Sequence, residues 1–242
     1  MNVTYSEVWG NGSLREQLIQ IGNNAFSVHG DLDRFVEEKT REAQYLQSVL
    51  RAKADETGLE IGCGVGVHTR FLAARSRFLH AVDVSDRWLE LFTRITEGVP
   101  NIRRTRSDFF PFLAAIPDAS IDFAFSSSVF CHLHVYDIYL YFEELVRVLK
   151  PGGRFYVNFQ NADHGDFGEF FMQYVEMYRR SGRSEPIYPG QMQFHSHAYF
   201  KRLGRRMGLR VRRERIAGSL SEILYVKGEG GWRRGLRALR RA

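Results

Sequence analysis

Cysteine is scarce: Cys63 and Cys131 are the two in a chain of 242 residues. Two thiols exclude a disulfide framework and a multi-cysteine zinc site. Long apolar runs are missing too. No stretch reaches the ~18 consecutive apolar residues of a membrane span, and the least charged long run, 123–136, holds three serines and two histidines. The opening MNVTYSEVWGNGSLREQ has no apolar core of signal-peptide length. Fixed-period repeats and low-complexity tracts are absent. These absences predict a soluble, cytoplasmic protein.

What is present is enough to fold. Hydrophobic residues make up 44% and charged residues 26%, which excludes disorder over the chain as a whole. At roughly 100–200 residues per domain, the length fits one large domain or two small ones. The net charge of +6 is unevenly spread. Residues 201–215 carry +7 and residues 231–242 carry +5, while residues 1–200 sum to −5. A uniform nucleic-acid binder does not look like this. An acidic body with a basic end can touch an anionic surface through one edge. In 231–242, Trp232, Leu236 and Leu239 recur at helical spacing among five arginines, so the tail reads as a weak, salt-sensitive contact for an anionic membrane.

From Asp31 the apolar positions Leu32, Phe35, Val36, Ala43, Leu46, Val49 and Leu50 fall near one helical face. Short apolar runs then alternate with helical patterns. Strands are predicted at 57–61, 78–84, 101–106, 121–126, 154–160, 209–216 and 220–227, and helices at 67–75, 86–96, 136–149 and 197–207. Alternation of this kind implies a doubly wound α/β sheet, Rossmann-like, with helices on both faces. The last two strands have no helix between them, so one strand must run antiparallel. The organisation expected is a helical cap over 1–54, a main domain over 55–230 with a lid insertion at 161–196, and the tail at 231–242.

The most informative segment is Glu60-Ile61-Gly62-Cys63-Gly64-Val65-Gly66. A strand ends in an acid, a glycine-rich turn follows, and a helix begins near Val67. Glycine lets the backbone turn sharply and lets a ligand approach closely. Dinucleotide enzymes space their glycines G-x-G-x-x-G; here the spacing is G-x-G-x-G. An acid two residues before the first glycine would repel a pyrophosphate but suits a ligand bearing an ammonium or sulfonium beside a carboxylate. Asp83 closes the second strand, where an acid accepts from both ribose hydroxyls. Ser85 is placed to cap the next helix, with Asp86 in its first turn. Asp108 follows the third strand, placed to accept from an adenine amino group with Phe109 against the ring.

Taken in order, LEIGCGVG, AVDVSDRWLEL, SDFFPF, IDFAFSSSVFCHL and LVRVLKPGGRFYV resemble the successive motifs of class I S-adenosylmethionine-dependent methyltransferases of the small-molecule type. The resemblance covers residues 55–160 well and the rest loosely. It implies a seven-stranded, mostly parallel sheet with one antiparallel strand, and S-adenosyl-L-methionine as cofactor. It assigns Glu60, Gly62 and Gly64 to the methionine end, Asp83 to the ribose, and Asp108 with Phe109 to the adenine. Ser126 lies near where the reactive methyl is expected. Gly58 departs from the pattern, which more often has an apolar residue there.

The reaction expected is in-line methyl transfer to a small-molecule acceptor, with oxygen (a phenol, carboxylate or sugar hydroxyl) as the accepting atom. A sugar hydroxyl needs a base, and neutral imidazole is the usual one near pH 7. His132, just past the fourth strand, and His195, before the last helix, are the candidate bases. His132 and His134 with Asp163 and His164 lack fixed metal-ligand spacing, so no metal is expected. A nucleic-acid methyltransferase using the basic C-terminal region for phosphates is the alternative, disfavoured because Ser126-Ser127-Ser128-Val129 stands where base-amino methyltransferases of this fold carry an Asn/Asp-Pro-Pro-aromatic run. A non-catalytic assembly protein stays open, since fold does not fix function.

Overall fold

A computed structural model describes residues 32–86, 88–107, 110–163 and 192–229, with positions 171, 172, 175, 176 and 179. The chain divides into two compact units, 1–108 and 109–242.

The first unit begins with helix α1 (Leu32–Leu50) and continues β1 (Thr57–Ile61), α2 (Val67–Ala73), β2 (Phe78–Asp83), α3 (Leu89–Ile95) and β3 (Ile102–Arg106). Strands β1 and β2 pair in parallel, with Thr57 opposite Phe78, and β2 pairs in parallel with β3. Every residue of β1 is buried, as a strand covered on both faces requires. Phe35 of α1 packs with Val65, Val67, Trp88, Leu91 and Ile95, so the apolar face read from Leu32 onward docks α1 on α2 and α3. Helix α3 starts at Leu89 rather than at Asp86, and Ser85 does not cap it. The Ser85 amide is drawn instead to Asp83 at 2.9 Å, which keeps the chain in a turn for longer.

The second unit holds β4 (Ile121–Ser126), a 3-10 turn (Phe130–His132), α4 (Val135–Val148), β5 (Leu149–Asn161), β6 (Phe194–His195), α5 (His197–Arg206), β7 (Leu209–Ala217) and β8 (Leu220–Lys227). β4 and β5 are parallel; β8 lies antiparallel to both β5 and β7. The doubly wound, mostly parallel class expected from sequence is the one observed, with β8 as the antiparallel strand and the two-residue β6 as an addition beside β5. Aromatics dominate the core here: Phe159 stacks on Phe200 at 3.8 Å between centroids, and the Tyr225 hydroxyl donates to the Phe200 carbonyl at 2.8 Å. That bond answers the cost of burying a phenol.

Among the described residues, no helix is long and apolar enough to cross a membrane. The basic tail 231–242 and most of the expected lid at 161–196 lie outside the described residues.

Candidate cofactor and acceptor sites

In the first unit, the Gly62 and Cys63 amides both donate to the Val82 carbonyl, at 2.7 and 3.1 Å, pinning the turn after β1 to the end of β2. Gly62, Gly64 and Gly66 all sit at positive φ, at 77, 49 and 86°. That region favours glycine, so the three supply the reversal itself. A Cβ built on Gly64 meets nothing within 4 Å. The backbone there is open to an approaching ligand.

Asp83 closes the same cradle. Its Oδ2 accepts from the Gly64 amide at 2.7 Å and its Oδ1 from the Ser85 amide at 2.9 Å. A carboxylate offers about four lone-pair positions. The Gly64, Ser85 and Val84 amides take up part of that capacity, and the side chain is partly exposed. Burial raises the Asp83 carboxyl above its ordinary range, while the Ser85, Gly64 and Val84 amides and the Arg104 guanidinium pull it down. Arg104 itself was not singled out from sequence. It sits on β3, donates to the Ser85 carbonyl and, at 3.1 Å, to Asp86, and lies over the Phe92 ring at 5.7 Å. It braces the turn that carries Asp83.

Glu60 is 2% exposed. Its Oε2 accepts from the Thr69 hydroxyl at 2.5 Å, and its Oε1 lies 3.7 Å from His68 Nδ1. The acid thus reaches the turn of α2 behind the glycines as well as closing β1. Burial raises its carboxyl above the ordinary range. The Cys63 thiol is pushed well above its ordinary range, by burial first and then by Asp83 and Glu60. It stays a protonated, inert thiol. Asp108 and Phe109, expected at the adenine, lie outside the described residues.

In the second unit, Ser126 ends β4 with no exposed surface, in register with Val157 of β5. His132 closes the 3-10 turn that follows. His195 lies on β6, and its Nε2 is 3.0 Å from the Phe130 carbonyl. A carbonyl only accepts, so Nε2 carries the hydrogen and Nδ1 is the basic atom. The Gln193 amide donates to the Cys131 carbonyl at 2.5 Å. The structure therefore fastens the His195 strand to the His132 turn. Burial lowers the His195 pKa, which keeps its ring neutral.

Asn158 of β5 was read from sequence as strand alone. Its Oδ1 accepts from the Ser128 amide at 2.6 Å, and its Nδ2 donates to the Ser127 hydroxyl at 3.2 Å. It holds the polar turn after β4, where Ser128 takes a φ of 60°. Two further histidines are structural. His134 caps α4, and His197 joins Ser221 and Glu214 at 3.1 and 2.8 Å. Among the described residues, no three His, Cys, Asp or Glu side chains gather to hold a metal ion.

Residues 59–157 match the model of a methyltransferase domain. The matched stretch is similar to methyltransferase domains. A demethylmenaquinone methyltransferase of Tropheryma whipplei is 35% identical over 111 residues, covering 45% of this chain and 44% of that protein. The phosphoethanolamine N-methyltransferase 2 of Caenorhabditis elegans is 27% identical over 124 residues, covering 51% and 28%. The chain thus spans less than half the length of these curated relatives. Among solved structures, geranyl diphosphate C-methyltransferase from Streptomyces coelicolor, in complex with Mg2+, geranyl diphosphate and S-adenosyl-L-homocysteine, superposes with a TM-score of 0.62 at 14% identity. It covers 92% of this chain and 95% of its own, a likeness that shows the fold. The matched stretch begins inside β1 and ends inside β5, so α1 and everything after residue 157 lie outside it.

Proposed function

We propose that this chain transfers the sulfonium methyl of S-adenosyl-L-methionine to a small-molecule acceptor, with oxygen as the accepting atom. One observation carries the cofactor half of this reading. Asp83 is held by the Gly64 and Ser85 amides with acceptor capacity left over, beside a glycine turn whose Gly64 has open space before it. These residues fit a ribose and the aminoacyl end attached to it.

The cofactor, when bound, supplies an electrophilic methyl carbon on sulfur. The chain does the rest. Asp83 accepts from the ribose hydroxyls, and the bare backbone at Gly62 and Gly64 admits the methionine end. Holding donor and acceptor in line, away from water, is where most of the rate arises. As the acceptor oxygen took up the methyl, its hydroxyl proton would pass to imidazole. His195 supports this role with a neutral ring whose Nδ1 is the basic atom. His132, on the adjoining turn, is the second candidate.

The test is an acceptor screen with methyl-labelled cofactor over phenols, sugars, carboxylates, amines, isoprenoid-like carbon acceptors and RNA. Label transfer to a hydroxyl or carboxylate oxygen is expected. The relatives named for nitrogen and carbon methylation make those arms the ones that would correct the acceptor atom. Binding of NAD with no response to S-adenosylmethionine would overturn the cofactor.

A further inference from the structure

Helix α1 precedes the matched stretch, yet it sends a chain of charges into the cradle. Lys39 Nζ lies 2.9 Å from Glu42 Oε2, and the same oxygen lies 3.2 Å from His68 Nε2. The other ring nitrogen, Nδ1, is at an ion-pair distance of 3.7 Å from Glu60 Oε1. Glu60 is closed on its far side by the Thr69 hydroxyl. Lys39 and His68 are each 9% exposed. Two elements thus put one carboxylate on each nitrogen of a buried imidazole.

That geometry selects a protonation state. A neutral imidazole has one N–H and one lone pair. With a carboxylate on each nitrogen, one of them would face that lone pair. Only the imidazolium turns an N–H and positive charge toward both, in hydrogen-bond reach of Glu42 and at ion-pair distance from Glu60. With Lys39 and both acids ionised, the protonated ring closes a group of zero net charge, the arrangement that buried charges require. Two neighbouring charges work against it, Lys39 by lowering the His68 pKa and Asp83, on β2, by raising that of Glu60. The α3 side chains found against Gly66 are Phe92 and Thr96, which carry no charge.

We propose that His68 is a positioning residue which, as an imidazolium, couples α1 to the cofactor cradle through Glu42 and Glu60, so that cofactor affinity follows the protonation of this ring. The proposal rests on the cofactor reading above. His68 touches no reacting atom. It fixes the Glu60 carboxylate and, with Thr69, the turn of α2 behind the glycines. The two carboxylates raise its pKa against the opposing effect of burial. A raised histidine keeps its bridge below its folded-state pKa and loses it as the pH rises through that value. Cofactor affinity should therefore fall on the alkaline side of the histidine range.

The experiment has two readings on the full chain. Isothermal titration with S-adenosylhomocysteine is run across the histidine range for wild type, Glu42→Gln and His68→Gln. The probe's own amino group titrates alike in all three, so differences between profiles report the ring. Wild type should lose affinity about tenfold to a hundredfold as the bridge opens, the scale of hydrogen bonds to charged groups. In Glu42→Gln the fall should move to lower pH. In His68→Gln it should vanish, with weak binding throughout. In parallel, NMR titration of the His68 ring, without ligand, should show a midpoint above the ordinary histidine value that drops in Glu42→Gln. Superimposable profiles for wild type and Glu42→Gln, or a His68 midpoint at or below the ordinary value, overturn the proposal. A chain that binds no S-adenosylhomocysteine at any pH, while His68 keeps a raised midpoint that depends on Glu42, overturns the cofactor reading and the coupling together, and the NMR arm shows which step failed.

Discussion

The backbone amide of Gly64 donates to Oδ2 of Asp83 at 2.7 Å, joining two residues 19 apart in sequence. The end of β2 and the glycine turn after β1 thereby become one rigid feature. Asp83 is a strut of the cradle and, in the function proposed above, a ligand contact, and the two roles can be separated. Asp83→Asn keeps an oxygen acceptor for one amide and removes the charge. Asp83→Ala removes both. Cofactor affinity should fall by about 1.5–3 kcal/mol in the alanine variant. The asparagine variant should lie between it and wild type. Calorimetry with S-adenosylhomocysteine, beside a denaturation midpoint for each variant, checks this. An alanine variant that is folded and binds normally would remove Asp83 from the site.

Glu42 sets an acid limit on stability. Burial pushes its carboxyl up, but the His68 hydrogen bond, with Lys39, outweighs this and brings it from 4.5 down to about 2. A depressed carboxylate stabilises the fold above its unfolded value, and that stability is lost as the pH falls from about 4.5 toward 2. The shift corresponds to about 3 kcal/mol. Glu60 has the opposite sign, because burial raises it. Its contribution is present at acid pH and fades as it ionises. Urea midpoints over the acid range should therefore drop more steeply for wild type than for Glu42→Gln. The mutant should start lower near neutrality.

Asn158→Ala should cost about 1–3 kcal/mol, since it leaves the Ser128 amide without its side-chain acceptor. A denaturant midpoint reads the loss directly. Ser128 holds a φ of 60°, a conformation that non-glycine residues rarely adopt unless the surroundings impose it. The variant should thus relax the turn after β4, and turnover should fall by more than the lost stability accounts for.

The strand ends and the glycine spacing made the placement of Glu60, Gly62 and Gly64 around the turn after β1, and of Asp83 at the end of β2, legible, because each follows from one local pattern. β1, β4 and β8 were read to the residue, and the helices to within a few positions at each end. Three features were not legible, for a common reason. His68 and Glu42 are 26 residues apart and meet through the docking of α1 on α2. Asn158 is a polar residue in an apolar strand, and its partners lie 30 residues earlier. The start of α3 moved from Asp86 to Leu89 because the Asp83 carboxylate took the Ser85 amide. Local propensity gives the elements, while side chains bridging distant segments decide where those elements stop and what they hold.

The two histidines of the second unit can be told apart by variants that keep the His195 anchor. His195→Gln preserves an N–H donor where Nε2 meets the Phe130 carbonyl but has no basic nitrogen. His132→Ala leaves that anchor intact. If His132 is the base, its loss should lower turnover by ~10²–10⁴ with cofactor affinity unchanged. If His195 is the base, the glutamine variant should show that loss instead. The pH profile is a further check. Burial lowers the His195 pKa, so the neutral, basic form persists to more acid pH than for an ordinary histidine. Turnover limited by His195 should stay flat through the usual histidine range and fall only below it. A fall near the ordinary value would rule against His195.

The last prediction separates packing from ligand approach within one turn. Gly64 and Gly66 both have positive φ, so a side chain at either position costs about 1–2 kcal/mol from backbone strain. Beyond that they differ. A Cβ on Gly66 would stand 2.7 Å from the Phe92 ring and 3.0 Å from the Thr96 methyl, contacts that require the α3 side chains to move. Overpacking of this kind adds about 1–3 kcal/mol. Gly66→Ala should therefore lose about 2–5 kcal/mol of stability in total, and Phe92→Leu should restore part of it, visible as coupling in a double-mutant cycle. A Cβ on Gly64 meets nothing within 4 Å, so Gly64→Ala should cost only the strain. The empty space in front of Gly64 is where the cofactor is expected to approach, so that variant should lose affinity out of proportion to its small loss of stability. Calorimetric binding plotted against denaturation midpoint for the two variants reads the contrast. If Gly64→Ala binds S-adenosylhomocysteine as wild type does, the open face of the turn is not the ligand's path.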